Sequence, residues 1–90
     1  MIAMTKLSEA QNIGKVLELK LRSVGIESLE DLKGVGAENA FARVKEIDRN
    51  AGRSILFSLD GAISGMKWHK IPENRKNELR GFFNELEQKN

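Results

Sequence analysis

The chain has no cysteine among its 90 residues. That excludes disulfides, thiolate nucleophiles and cysteine-ligated zinc, and it suits a reducing compartment, so a cytoplasmic location is expected. Histidine occurs once, at His69, too few for a histidine-based metal site. No apolar run approaches the ~20 residues that a membrane span needs. The start, Met1-Ile2-Ala3-Met4-Thr5-Lys6, lacks the basic and apolar regions of a secretory leader, so no membrane association or secretion is expected. Proline also occurs once, at Pro72, which leaves glycine as the main interruption of helical stretches. Sustained alternation of apolar and polar residues is missing, and with it the signal for strands.

What is present reads as helix. With 40% hydrophobic and 31% charged residues the composition is that of a water-soluble globule. A chain of this length supplies one hydrophobic core, so residues 1–90 are expected to form a single domain. A first helix is predicted from about Thr5 to Gln11, capped by Thr5 and ended by Asn12-Ile13-Gly14. The second runs from Lys15 to Val24, where Val16, Leu17, Leu19, Leu21 and Val24 are dense enough to cover most of one side. Gly25 suits the left-handed position that closes a helix, and Ile26 can fold back on the last turn.

Ser28 is placed to cap a short third helix with Glu30 and Asp31 in its first turn, where the helix dipole favours negative charge. That helix ends at Gly34-Val35-Gly36. From Ala37 to about Asn50, the residues Ala40, Phe41, Val44 and Ile47 recur at helical spacing. Asn50-Ala51-Gly52 breaks the pattern. Ser54 to about Gly65 carries Ile55, Leu56, Leu59, Ala62 and Ile63, followed by Met66, and is the predicted central helix. A last helix begins with Pro72 at its first position and runs to the tail on Leu79, Phe82, Phe83 and Leu86. The expected fold class is all-α, a compact bundle of five or six short helices.

Two turns carry the possible chemistry. In Gly34-Val35-Gly36-Ala37-Glu38-Asn39-Ala40, a glycine, an apolar residue and a second glycine sit between helices. Unpaired amides and the dipole of the following helix then suit an anion. The pattern matches a helix-hairpin-helix motif, which holds the DNA backbone without reading sequence. Asn12-Ile13-Gly14-Lys15 is a partial second copy, with asparagine at the first glycine position and a lysine behind it, giving a tandem arrangement. Glycine turns of this kind also occur wherever helices meet, and Glu38 would repel a phosphate at the second copy. The residues assigned to a nucleic-acid backbone are Asn12, Gly14, Lys15, Lys33, Gly36 and Lys6. A formal net charge of +2 decides little, since clustering of the lysines matters more.

Trp68 beside His69, flanked by Lys67 and Lys70, could stack on a base. Against this, a tryptophan in the loop between two core helices is expected to seal the bundle. Catalysis is hard to assemble. Ser54, Ser58 and Ser64 lie on helical segments, the lone histidine has no evident nucleophile, and no phosphate-binding or dinucleotide loop is present. Neither an enzyme nor a cofactor is expected.

The ordered series Asn12-Ile13-Gly14, Val24-Gly25-Ile26, Glu30-Asp31-Leu32, Gly36, Ala40-Phe41, Gly61-Ala62-Ile63 and Trp68-His69 resembles the C-terminal domain of the TfoX competence regulators of bacteria. The similarity runs from about Leu7 to Phe83. The N-terminal TfoX domain is missing, so a stand-alone form is expected. The resemblance implies a fold related to helix-hairpin-helix domains and a link to regulation of DNA-uptake genes, without an established biochemical activity for this half. DNA binding follows there from the fold rather than from mapped residues, so only the hairpin positions Asn12, Gly14 and Gly36 carry over. The family's hairpins often have a proline where this chain has Lys15, a difference that favours an anion. Two functions follow. One is low-specificity binding of double-stranded DNA. The alternative is a protein-interaction domain, pairing with itself as a homodimer or with a regulatory protein through Phe82 or Phe83 exposed on the last helix.

Overall fold

The computed structural model describes residues 4–89, so the part of the leader reading that concerns Met1-Ile2-Ala3 lies outside them. Five α-helices follow one another: α1 (Lys15–Ser23), α2 (Leu29–Val35), α3 (Ala37–Ile47), α4 (Arg53–Ser64) and α5 (Glu73–Gln88). Single 3-10 turns at Leu7–Glu9 and Trp68–Lys70 precede α1 and α5. There is no strand among the described residues, so the class is all-α.

Local chemistry sets the helix ends. Gly25 takes a φ of 86° after α1, and the Ile26 N–H then reaches the Leu21 carbonyl at 2.9 Å, the bond that closes a Schellman turn. Ile26 is fully buried. Ser28 caps α2, its hydroxyl accepting from the Asp31 N–H at 3.0 Å, while the Asp31 carboxylate accepts in return from the Glu27 N–H at 3.1 Å.

Helices α3 and α4 form the centre. Helix α3 packs against all four other helices, and α4 against α2, α3, α5 and the second 3-10 turn. Phe41, Val44, Leu56 and Leu59 of this pair are fully buried, and each outer helix adds one fully buried leucine: Leu21, Leu32 and Leu79. Helices this short are marginal alone in water. Each is held in place by burying side chains that contribute ~1.5–3 kcal/mol apiece. Lys45 is also buried. Its ammonium donates to the Arg49 carbonyl at 2.7 Å, the Ala51 carbonyl at 2.9 Å and Glu87 Oε1 at 2.7 Å. All three donors are used, and the end of α3, the loop after it and α5 are thereby tied together.

Several expectations are corrected. The predicted Thr5–Gln11 helix is one 3-10 turn, Leu7–Glu9. Thr5 does not cap it, because its N–H and hydroxyl both go to the Glu30 carboxylate at 2.8 Å each, and its carbonyl accepts from the Leu29 N–H at 3.0 Å. Helix α1 stops at Ser23 and α3 stops at Ile47, while Pro72 caps α5 rather than occupying its first position. Only Leu21 of α1 is buried. Val16 and Leu19 are 69% and 64% exposed, because α1 packs mainly on α3 and the first 3-10 turn. Phe82 and Phe83 are half-buried instead of forming an exposed patch, and the Phe83 ring lies 5.9 Å from that of Phe41.

Candidate nucleic-acid interface

The turn before α1 is built on an unusual asparagine. Asn12 has a φ of 70°, the left-handed conformation that asparagine tolerates better than most residues and glycine adopts freely. Its side chain is fully engaged inside the molecule. The amide nitrogen donates to the Met66 carbonyl at 2.9 Å and the Ser58 carbonyl at 3.5 Å, and the amide oxygen accepts from the Trp68 N–H at 3.1 Å. Asn12 therefore pins the turn before α1 to the end of α4 and to the second 3-10 turn. Its place at a glycine position is visible in the sequence, whereas this anchoring is not.

Gly14 caps α1 without a side chain. The first bond of that helix runs from the Glu18 N–H to the Gly14 carbonyl at 3.0 Å, which leaves the amides of Lys15, Val16 and Leu17 ahead of it. Lys15 is exposed. Gly36 alone joins α2 to α3, with φ 89° and ψ 155°, a combination open essentially to glycine only. Its carbonyl accepts the first α3 bond from the Ala40 N–H at 2.9 Å.

The surroundings of the two turns differ. Glu38, in the first turn of α3, is gripped by Arg75, with contacts of 2.9 and 3.0 Å between both ends of the guanidinium and both carboxylate oxygens. Arg75 also meets Asp60, 2.8 Å from Nη2 and 3.0 Å from Nε, and Glu78 at 3.1 Å. The Arg75 hydrogen bonds hold the Glu38 carboxyl below the ordinary glutamate range despite its partial burial. Three carboxylates therefore share one guanidinium, and the turn at Gly36 stays acidic. Neither Arg75 nor Asp60 carries a role in the sequence reading above. The available signal was a lone carboxylate inside the apolar run Leu59-Asp60-Gly61-Ala62-Ile63, where a charge needs a partner.

Lys6, Lys15 and Lys33 are all exposed, and none of their ammonium groups makes an ion pair or hydrogen bond among the described residues. Thr5 holds its neighbour Lys6 beside the first turn of α2, and Lys33 lies in the last turn of that helix. The first turn of α2 also carries Glu30, whose carboxyl is held below the ordinary glutamate range by its hydrogen bonds from the Thr5 N–H and hydroxyl, with a smaller contribution from Lys33. Lys15 is the first residue of α1.

Trp68 does not seal the bundle. It is 47% exposed, with its ring edge-on to His69 at 5.7 Å. A shallow pocket beside it is lined by Arg53, Ser54, Phe57, Trp68 and Arg80.

The chain matches the TfoX C-terminal domain over residues 3–83. It is 31% identical over 81 residues to "Protein Sxy" of Escherichia coli strain K12, a match covering 90% of this chain and 39% of that protein. The chain thus spans well under half the length of this curated relative. Two crystal structures from Listeria monocytogenes are also similar. An uncharacterized protein in a triclinic form superposes with a TM-score of 0.91 at 44% identity, over 92% of this chain and 94% of that one. A protein of unknown function in a tetragonal form gives 0.87 at 45% identity, over 89% and 99%.

Proposed function

The chain belongs to the TfoX C-terminal domain family, and from that premise we propose a cytoplasmic, non-catalytic regulatory domain that binds the backbone of double-stranded DNA with little sequence preference. The competence-regulating role implied by the resemblance is the context of this reading. The observation that carries it is the head of α1. A left-handed turn at Asn12 leads to a glycine cap, no side chain caps the amides that follow, and Lys15 stands exposed with no ion-pair partner among the described residues. Amides and dipole together attract a phosphate there, and Lys15 adds a charge. The pairing of α1 with the turn before it, and of α2 with α3 across Gly36, is read as a helix-hairpin-helix-like tandem. Gly36 has the smaller share because the carboxylates around Arg75 oppose an anion.

Titration of a labelled duplex tests the reading. Binding is expected to weaken with salt, and Lys15→Glu to lower affinity by about fivefold or more and reduce the salt slope by about one. Absence of binding at low salt, or binding indifferent to Lys15→Glu, removes the proposal.

A second reading is favoured by Val16 and Leu19, 69% and 64% exposed and one turn apart on α1. Here a second copy of the chain covers them, which replaces Phe82 and Phe83 as the homodimer interface. Light scattering should then show mass rising with concentration, and Leu19→Asp should abolish the rise without lowering thermal stability. A monomer at every concentration eliminates self-association.

A further inference from the structure

The pocket beside Trp68 uses none of the residues assigned to duplex binding. Arg53, the first residue of α4, is exposed and has no acidic partner among the described residues. Its guanidinium lies 5.9 Å from the centre of the Phe83 ring. Arg80 of α5 lies 5.7 Å from the centre of the Phe57 ring. Its Nη1 donates to Glu73 at 2.9 Å and to Asn77 at 2.8 Å, and its Nε and Nη2 donate to no side chain among the described residues. Among the described residues the carboxylate paired with Arg80 is that of Glu73, whose side chain is 70% exposed, so an incoming anion displaces it at little cost. Each guanidinium is thus positioned over an aromatic face before any ligand arrives, which reduces the ordering cost of binding. Ser54, also exposed, adds a hydroxyl to the same rim.

Trp68 supplies what a simple anion site would not need. Its N–H is anchored by Asn12 at 3.1 Å, and the following turn is closed by the Lys70 N–H on the Lys67 carbonyl at 2.9 Å. The backbone beneath the indole is therefore fixed while the side chain stays open to solvent. Two forked cations and a hydroxyl suit a phosphate, and an exposed indole suits a planar base. The geometry points to a site for a nucleotide unit whose base is unstacked, with the phosphate between Arg53 and Arg80 and the base on Trp68. A base paired and stacked within a duplex cannot offer its face, so the ligand is a single strand or a free nucleotide. This goes beyond the duplex reading and involves other residues.

The chain has one tryptophan and no tyrosine, so its intrinsic fluorescence reports on Trp68. The whole protein is titrated with oligothymidylate, thymidine monophosphate, inorganic phosphate and a blunt duplex at low salt. Oligothymidylate is expected to quench the emission saturably, and Arg53→Gln to weaken it about tenfold while leaving the helical circular dichroism unchanged. Arg80→Gln should weaken it comparably. Lys15→Glu should leave this quenching intact while reducing duplex binding, so the two sites fail separately. Saturation by thymidine monophosphate in the same concentration range identifies a free nucleotide as the ligand, and saturation by oligothymidylate alone identifies a strand. For Trp68→Ala, anisotropy of a labelled oligothymidylate replaces the emission and should show binding lost, with Trp68→Phe retaining most of it. Quenching by neither ligand, equal quenching by inorganic phosphate or by the duplex, or indifference to Arg53→Gln overturns the assignment.

Discussion

Gly61→Ala should lower stability by about 2–4 kcal/mol, although alanine normally improves a helix interior by ~0.5–1 kcal/mol. Gly61 is buried in α4, and a Cβ there would collide with the Asn12 amide nitrogen, sit 2.7 Å from the Met66 carbonyl oxygen and lie 3.4 Å from Trp68 Cα. Two of these neighbours are backbone and cannot rotate aside. The third is the group that ties three segments together, so the methyl both overpacks the site and breaks the Asn12 bonds. Gly81 in α5 provides the opposite control, since it is exposed and nothing lies within 4 Å of a Cβ built there. Gly81→Ala should raise stability by ~0.5–1 kcal/mol. Denaturant melts of both variants decide the matter, and a stabilised Gly61→Ala would refute the close approach. In an Asn12→Gly background, which keeps the backbone conformation but lacks the amide, the penalty at Gly61 should shrink.

Arg75→Met should cost about 2–3 kcal/mol, less than the ~3–5 kcal/mol of a fully buried pair, because the Arg75 side chain is 30% exposed. Most of that loss falls on Asp60, whose side chain is only 9% exposed and which would lose its guanidinium partner. The effect should depend on pH. Arg75 holds the folded-state Glu38 carboxyl below its ordinary value of 4.5. A carboxyl depressed on folding contributes stability above its unfolded pKa and loses it as pH falls through the folded one. The gap between wild type and Arg75→Met should therefore narrow below about pH 4.5. Glu30, Asp48 and Glu73 are depressed by other partners, so their share of the acid loss persists in the variant. Chemical melts between neutral pH and pH 3 test this, and a gap that stays constant would show that the Arg75–Glu38 pair contributes no pH-dependent part of it.

Signals that act over one or two turns of chain were legible in the sequence. The Ser28 cap, the Gly25 closure, the glycine link at Gly36 and the apolar α4 each depend on neighbours in the chain, and each is found. What escaped depends on partners far along it. Thr5 reads as a helix cap until Glu30, 25 residues on, takes both its donors. The α1 stripe of Val16, Leu17, Leu19, Leu21 and Val24 reads as core, but periodicity does not reveal how many helices pack on it. Arg75 and Lys45 look like ordinary surface cations because nothing local marks the carboxylates and carbonyls that fold against them. The same holds at the candidate sites. Gly14 and Lys15 are recognisable by pattern, whereas Arg53 and Arg80 meet Trp68 only through the packing of α4 and α5.

The clamp made by Asn12 also gives the protein an internal reporter of partial opening. Helix bonds close over four residues, but the Trp68 N–H is held by a side chain 56 residues away, so its protection depends on a contact closed across most of the chain. The segment before α1 is otherwise fastened through Thr5, the buried Leu7 and Ile13, and the Ser8 N–H on Glu18. Its detachment would expose the Trp68 amide to exchange while every helix kept its own bonds. The exchange rate of that one hydrogen therefore measures how often the N-terminal segment lets go, separately from global unfolding.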